Sequence, residues 1–385
     1  MNVASLDCVV IGAGPVGLAA ALALKQAGFD ALCIGPAPHP DRPDRRTAAL
    51  LQGSVRFLEA LGVWSRFAAE AAPLSALRLV DRTGRIFRAP DMMFDAGEIG
   101  ESAFGYNIPN MRIVAALTEA LGASYVASNG VTAIEPVAGA MRLSLADGRR
   151  FEAKLVVGAD GRQSLCREAA GIQTREWRYD QIATVCNFGH SRPHNGVCTE
   201  FHYAHGPFTV VPLPGGCSSL VWVERPPQAA DLAAMSDAEF AHAIGLRLGG
   251  LLGDITEVGT RNAFPLSGLV AHRLTGERLA LVGEAAHVMP PIGAQGLNLG
   301  FRDVADLASC AARASQDPGT PDVLAAYETA RRGDVITRMA TADLLNRTLV
   351  SGFLPVQFAR GAGLIALSMF APLRRAAMLR GMAAA

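Results

Sequence analysis

Three short stretches of this 385-residue chain pair bare backbone with isolated charge: Gly12-Ala13-Gly14-Pro15-Val16-Gly17, Gly158-Ala159-Asp160-Gly161, and Gly283-Glu284 running on through Pro290-Pro291 to Gly296-Leu297-Asn298. Glycine admits the close approach of a phosphate. A helix starting just after it offers free N–H groups and a partial positive charge. No one stretch is persuasive alone, but together they fit a single dinucleotide held by segments far apart in the chain.

The elements that must position these residues follow from the hydrophobic pattern. Residues 6–11 form an apolar, β-branched run broken by Gly12, and 16–27 have helix-forming composition stopped by Gly28. With a second strand over 30–34, GxGxxG sits at the first turn of a βαβ unit, the place where a pyrophosphate is bound. Gly35 stands where an acid would take a ribose hydroxyl; Asp41 and Asp44 follow as possible substitutes. Arg45 and Arg46 read either as solvated surface charge or as arginines against a cofactor. A strand over 155–157 carries Asp160 to the start of a helix over 163–170, where an N-cap is the plainer role. The strand beginning at Leu279 leads to Glu284 and His287, and a helix begins near 296–298. His287, next to that turn, reads as a structural histidine rather than a base.

Other segments frame this core. Helices are expected over 54–61 and 111–121, strands over 77–80 and 85–88 as a hairpin, a strand over 124–127, and a meander over 131–137, 141–145 and 149–153. Strands over 182–188, 198–203, 208–212 and 219–223 make a second, mostly antiparallel sheet with no dinucleotide signature, read as a substrate domain. Ser236 and Glu239 form a capping box for a helix to 248, and the chain is helical from Pro321 onward. His190, His194, His202 and His205 match no metal-ligand spacing, so no metal is expected.

Zero net charge argues against a nucleic-acid partner. Seven cysteines, odd in number and without a CxxC pair, read as reduced thiols. No secretory leader and no run long enough to span a bilayer is evident, which points to the cytoplasm. After Asp343 the chain has no Asp or Glu but five arginines among apolar runs, which suits peripheral docking on the inner membrane or on a membrane-bound partner; helices packed on the body with solvated arginines are the alternative.

The three motifs, GAGPVG at 12–17, GADGR at 158–162 and GEAAHVMPPIGAQGLNLGFRDV at 283–304, resemble those of the single-component flavoprotein aromatic hydroxylases of the p-hydroxybenzoate hydroxylase fold. Segments such as Arg46-Thr47-Ala48-Ala49-Leu50, Ser219-Leu220-Val221-Trp222 and the arginine-bearing tail are similar to the ubiquinone-biosynthesis hydroxylases of the UbiH/UbiF type. The resemblance implies an α/β fold: a discontinuous Rossmann-like FAD-binding domain (1–75, 100–178, 264–345), an inserted antiparallel substrate domain (76–99, 179–263) and C-terminal helices (346–385). It implies FAD as cofactor, with Gly12, Gly14 and Gly17 at the pyrophosphate, and Arg46, Arg112 and Asp160 near the cofactor. Glu284 would meet the ribityl chain, and the N–H groups of Gly296, Leu297 and Asn298 the reduced ring. NAD(P)H would reduce the flavin, O2 would add to give a C4a-hydroperoxyflavin, and oxygen would pass to an aromatic, prenylated substrate in ubiquinone biosynthesis. No catalytic acid or base is assigned. Gly35, Met111 and Glu284 depart from the family pattern. A small soluble aromatic substrate, or a flavin-poor scaffold subunit of a biosynthetic complex, are the other readings.

Overall fold

The computed structural model describes residues 4–37, 44, 46–85, 90–290, 293, 295–314, 316–351 and 353–382. Strands Ala4–Ile11, Ala31–Gly35 and Arg150–Gly158 form the centre of a parallel sheet, extended by Tyr125–Ala127 on one side and Leu279–Leu281 on the other. The ends that meet at the centre, residues 8–11, 33–35, 155–158 and 279–281, are wholly buried and almost all apolar because both faces are covered there, as a parallel sheet requires. The helix Pro15–Gln26 starts with proline at its first position, where no intrahelical N–H is lost, and buries eight consecutive residues from Gly17 to Leu24.

Two segments expected as separate strands, 149–153 and 155–157, are one strand, Arg150–Gly158. Its first half pairs antiparallel with Ala140–Leu145 and its end parallel with Leu279–Leu281, while nearly its whole length runs parallel to Ala4–Ile11, so one strand serves three neighbours. The hairpin partner of Ala76–Asp81 is Met92–Asp95 rather than the expected 85–88, of which 86–88 lie outside the described residues.

The second sheet is mostly antiparallel and runs Asn262–Ala271, Thr174–His190, Cys217–Glu224, Pro207–Leu213, Val197–His202, Ala76–Asp81 and Met92–Asp95. Its longest strand starts at Thr174, eight residues before the expected start, and carries a bulge between Arg178 and Ile182. Arg175, Glu176, Arg178 and Asp180, all exposed, hid that first half, because they leave no apolar run in the sequence. One face of the sheet packs on the helices Pro226–Ala234 and Asp237–Leu248 through Phe208, Trp222 and Phe240, whose rings meet at 5.1 and 5.7 Å. His190 and His194 stack on each other at 5.7 Å while His202 and His205 pair with Glu200 and Glu224, so the four histidines do not form one cluster.

Three helices close the chain, Pro321–Val350, Leu354–Met369 and Ala371–Met382. Among the described residues no single helix is long and apolar enough to cross a membrane.

The Phe208–Trp222–Phe240 stack predicts that Trp222→Ala will cost about 3–5 kcal/mol, the usual loss for a buried aromatic. Urea unfolding followed by circular dichroism would measure it.

Candidate functional site

Register brings the three motifs together. Ile11 pairs with Gly158, and Gly158 with Leu281, so the carboxyl ends of three adjacent parallel strands lie side by side. Ala159 N–H donates to Ile11 O at 2.8 Å and Val282 N–H to Gly158 O at 2.9 Å, fixing the turns that follow. The edge beyond strand ends is where open α/β sheets bind ligands.

The glycines divide the work. A Cβ on Gly12 would sit 2.1 Å from Ala159 O, and one on Gly17 would sit 1.9 Å from Gly12 O. Those two positions are glycine because backbone packs on backbone there. A Cβ on Gly14 would meet no protein atom within 4 Å, although its φ of −76° suits any residue. Gly14 therefore faces the open side of the turn, at the N-terminus of Pro15–Gln26. Gly35 has a local cause of its own: a Cβ there would lie 2.5 Å from Ala13 N, so the first motif leaves no room for the acid other sequences place at this strand end.

Asp160 accepts from Cys166 N–H at 3.0 Å through Oδ2. Its Oδ1 is buried without a hydrogen-bond partner among the described residues. It is not the N-cap of the following helix, Leu165–Ala169; Ser164 holds that place and accepts from Arg167 N–H. Arg167, which no sequence signal singled out, ties the second motif to the third by donating to Arg162 O and Ala285 O. Glu284 is exposed although its neighbours Val282, Gly283, Ala285 and Ala286 are all buried. A single helical turn, Gly283–Ala285, thus presents one carboxylate from an otherwise buried run.

Arg46 makes a two-pronged contact with Asp44, Nε to Oδ1 and Nη2 to Oδ2, both at 2.8 Å. Asp44, with a smaller contribution from Glu284, holds the guanidinium firmly protonated. Asn110 donates to the same Asp44 carboxylate at 3.3 Å, and its own Oδ1 is buried without a partner among the described residues. Asp44 is therefore a clamp on Arg46 rather than a free ribose acceptor; Asp41 and Arg45 lie outside the described residues. Arg112 pairs with Glu70 at 2.7 Å, both half-exposed. Asn298 belongs here through its backbone, in the first turn of Gln295–Ala312, since its side chain accepts from Leu51 N–H and the Ser54 hydroxyl and donates to Ala49 O. Gly296 and Leu297 open the same turn, and a Cβ on Gly296 would meet nothing within 4 Å.

Behind this edge lies a buried ion network. Asp303 accepts from Gly283 N–H at 2.9 Å, His287 Nε2 at 2.6 Å and Arg331 Nε at 2.8 Å. Burial alone would raise the Asp303 carboxyl, yet His287, Arg331 and the Gly283 N–H together hold it below its ordinary value. His287 is 2% exposed, so it is a structural residue and no base for a substrate. Asp303 and Arg331 were invisible in the sequence because each looks like an ordinary helix-surface charge.

The arrangement fits a dinucleotide: an open glycine turn at a helix N-terminus, an unsatisfied buried carboxylate oxygen, an exposed carboxylate and a second helix N-terminus on one sheet edge. The FAD binding domain family matches residues 5–342. The chain is an FAD-dependent monooxygenase. It is 36% identical to the ubiquinone hydroxylase UbiL of Rhodospirillum rubrum, over 98% of this chain and 89% of that protein. It is 31% identical to the 3-demethoxyubiquinol 3-hydroxylase of Escherichia coli, over 97% of each chain. Its fold is similar to that of p-nitrophenol 4-monooxygenase PnpA from Pseudomonas putida, with a TM-score of 0.80 and 21% identity over 98% of both chains. The chain belongs to the ubiquinone-biosynthesis hydroxylases within the flavoprotein monooxygenases.

Two substitutions separate the glycine roles. Gly17→Ala should lose at least about 1–3 kcal/mol in thermal unfolding through overpacking. Gly14→Val should melt like the flavin-stripped parent yet purify without flavin; normal flavin absorbance in that variant would contradict the assignment of this turn.

Asp303→Asn should cost about 3–5 kcal/mol in denaturant unfolding at neutral pH, because it strips a charge from a buried pair. The Asp303 value is lowered in the fold from 3.8, so its contribution is whole above about pH 4 and is lost as pH falls through the folded value. The parent should therefore weaken on acidification in that window more steeply than the Asn variant.

Proposed function

We propose that this chain hydroxylates the ring of a prenylated phenol on the way to ubiquinone, using reduced nicotinamide and O2. The observation that carries the proposal is the meeting of the three motifs on one sheet edge, facing a second sheet. Val185, Val221 and Thr209 stand in one cross-strand row of that sheet, and Asn187, Ser219 and Val211 in the next. They alternate with Phe208, Leu220 and Trp222, which pack on the helices, and so occupy the opposite face. Asn107 of the strand Gly105–Pro109 donates to Pro212 O at 2.9 Å and Ser219 Oγ at 3.2 Å, anchoring that face. A β-branched floor of this kind suits an apolar aromatic.

In this reading the N–H groups behind Gly14 would hold the FAD pyrophosphate, and Arg46, oriented by Asp44, would stand beside the cofactor. Asp160 Oδ1 and Glu284 would accept from its sugar and ribityl hydroxyls. The first-turn N–H groups of Gln295–Ala312 would stabilise negative charge on the reduced ring. The flavin, when bound, would supply the redox chemistry, by which the two electrons of the nicotinamide reduce one atom of O2 to water while the other enters the ring. The protein's own part is position, a dry face and electrostatics. Proton loss from the phenol needs only a polar side chain or water.

Glu284→Ala should weaken FAD roughly tenfold to a hundredfold, since a charge-assisted hydrogen bond is typically worth ~1.5–3 kcal/mol. Glu284→Asp should bind at least as well as the parent. Flavin titration by fluorescence quenching decides it: equal affinity in parent and Ala variant removes Glu284 from the site. Product analysis with a prenylated and an unprenylated phenol then tests the substrate. Turnover of only the soluble phenol would overturn the prenylated assignment, and a purified protein lacking stoichiometric flavin would favour a scaffold.

A further inference from the structure

The helix Leu354–Met369 is built inside out. Its few polar side chains turn inward: Gln357 is 7% exposed, and Arg360 reaches Asp81 at 3.4 Å and His202 at 2.6 Å beneath the helix. Its outward face holds Leu354, Phe358, Ile365 and Met369, the last 72% exposed, with alanine, glycine and proline also exposed between them. A helix facing water shows the reverse pattern. Phe353 and Phe370 flank it at 67% and 60% exposure, and Leu373 and Leu379 of Ala371–Met382 continue the apolar surface.

The charges on this surface have one sign. Of the five arginines after Asp343, three are spent within the protein: Arg347 on Asp343, Arg360 on Asp81, and Arg374 on Glu98 at 2.7 Å. Among the described residues Arg375 and Arg380 make no ion pair, although Arg375 lies within electrostatic reach of Glu98; both are exposed beside Leu373 and Leu379, and no acidic residue follows Asp343. The inner face is held on the body by the Arg360–Asp81 and Arg374–Glu98 pairs and by Met378 packed with Met92 and Phe94, so the apolar side stays outward.

We propose that this outward face of the two C-terminal helices is a docking surface for an anionic lipid bilayer. The helix lies in the interface and does not cross it: 16 residues rise about 24 Å, short of the ~30 Å hydrocarbon core. It is also bent by 114° from the preceding helix. Apolar side chains enter the acyl boundary while Arg375 and Arg380 meet lipid phosphates. A second copy fits less well, because joining two such faces would bring like charges together. That the bilayer also delivers the substrate rests on the function proposed above. The surface itself does not, and its test needs no turnover.

The test is flotation of the intact flavin-loaded chain with vesicles of phosphatidylglycerol and phosphatidylcholine, and of phosphatidylcholine alone. Binding is expected on the anionic vesicles at about 0.1 M salt and should fall severalfold at about 1 M, where the screening length drops from roughly 10 to 3 Å. Ile365→Ser with Met369→Ser should weaken it about tenfold or more, with parental flavin content and melting temperature. Arg375→Gln with Arg380→Gln, which removes no packed side chain, should abolish the preference for anionic over neutral vesicles. Failure to float, binding indifferent to the apolar pair, or a preference unchanged by the arginine pair overturns the proposal. So does a dimer in light scattering that the apolar pair dissociates, which would give the face to a second copy.

Discussion

Asp303 holds the site in place from behind. It lies on Gln295–Ala312, yet its two oxygens accept hydrogen bonds from the turn at Gly283, from His287 and from Arg331 on Pro321–Val350. Gly283 has a φ of +59°, a conformation most side chains resist, and the bond from its N–H to Asp303 fixes it. That turn sets where Glu284 points. A buried carboxylate with three donors is costly to desolvate, and such groups survive when each lone pair has a partner. The same long helix adds Tyr327, whose hydroxyl donates to Leu281 O at 2.7 Å at the end of the third motif strand.

The front of the site is a matter of distances between backbones. Gly12 and Gly17 let the first turn press on Ala159 and on itself, and Val16 fills the space against Gly283 and Gly300. The first and third motifs therefore touch through small residues, with Arg167 bridging the second to the third. Because so much of the contact is backbone, chemistry is left to a few outward groups: Gly14, Asp160, Glu284, Arg46 and one helix end. This is an economical way to hold a large cofactor whose own ring does the reaction.

The C-terminal helices follow another logic. Their arginines look, in the sequence, like one basic tail, but the fold turns Arg360 and Arg374 inward on Asp81 and Glu98 and pairs Arg347 with Asp343 on its own helix. What is left outside is apolar apart from Arg375 and Arg380. The charge asymmetry of the tail is thus partly a docking device for the helices themselves, and the unusual feature is the side they turn to solvent.

The sequence by itself determined the βαβ unit with its glycine turn, the antiparallel character of the second sheet, the capping box at Ser236, and the family, because these rest on local pattern and on short motifs. Local pattern misjudged Thr174–His190 and the double use of Arg150–Gly158, since a strand's length depends on the neighbours it finds. Only tertiary structure decided that Arg112 turns to Glu70, that the Asn298 side chain is spent on Leu51, Ser54 and Ala49, that Asp44 clamps Arg46, and that Asp303 and Arg331 form the buried support. The physical reason is common to all four. A charged or amide side chain has the same sequence signature whether it meets water, a cofactor or another side chain, and the choice is made by whichever partner the fold brings within 3 Å or so, two residues away for Asp44 and Arg46 and 247 for Leu51 and Asn298.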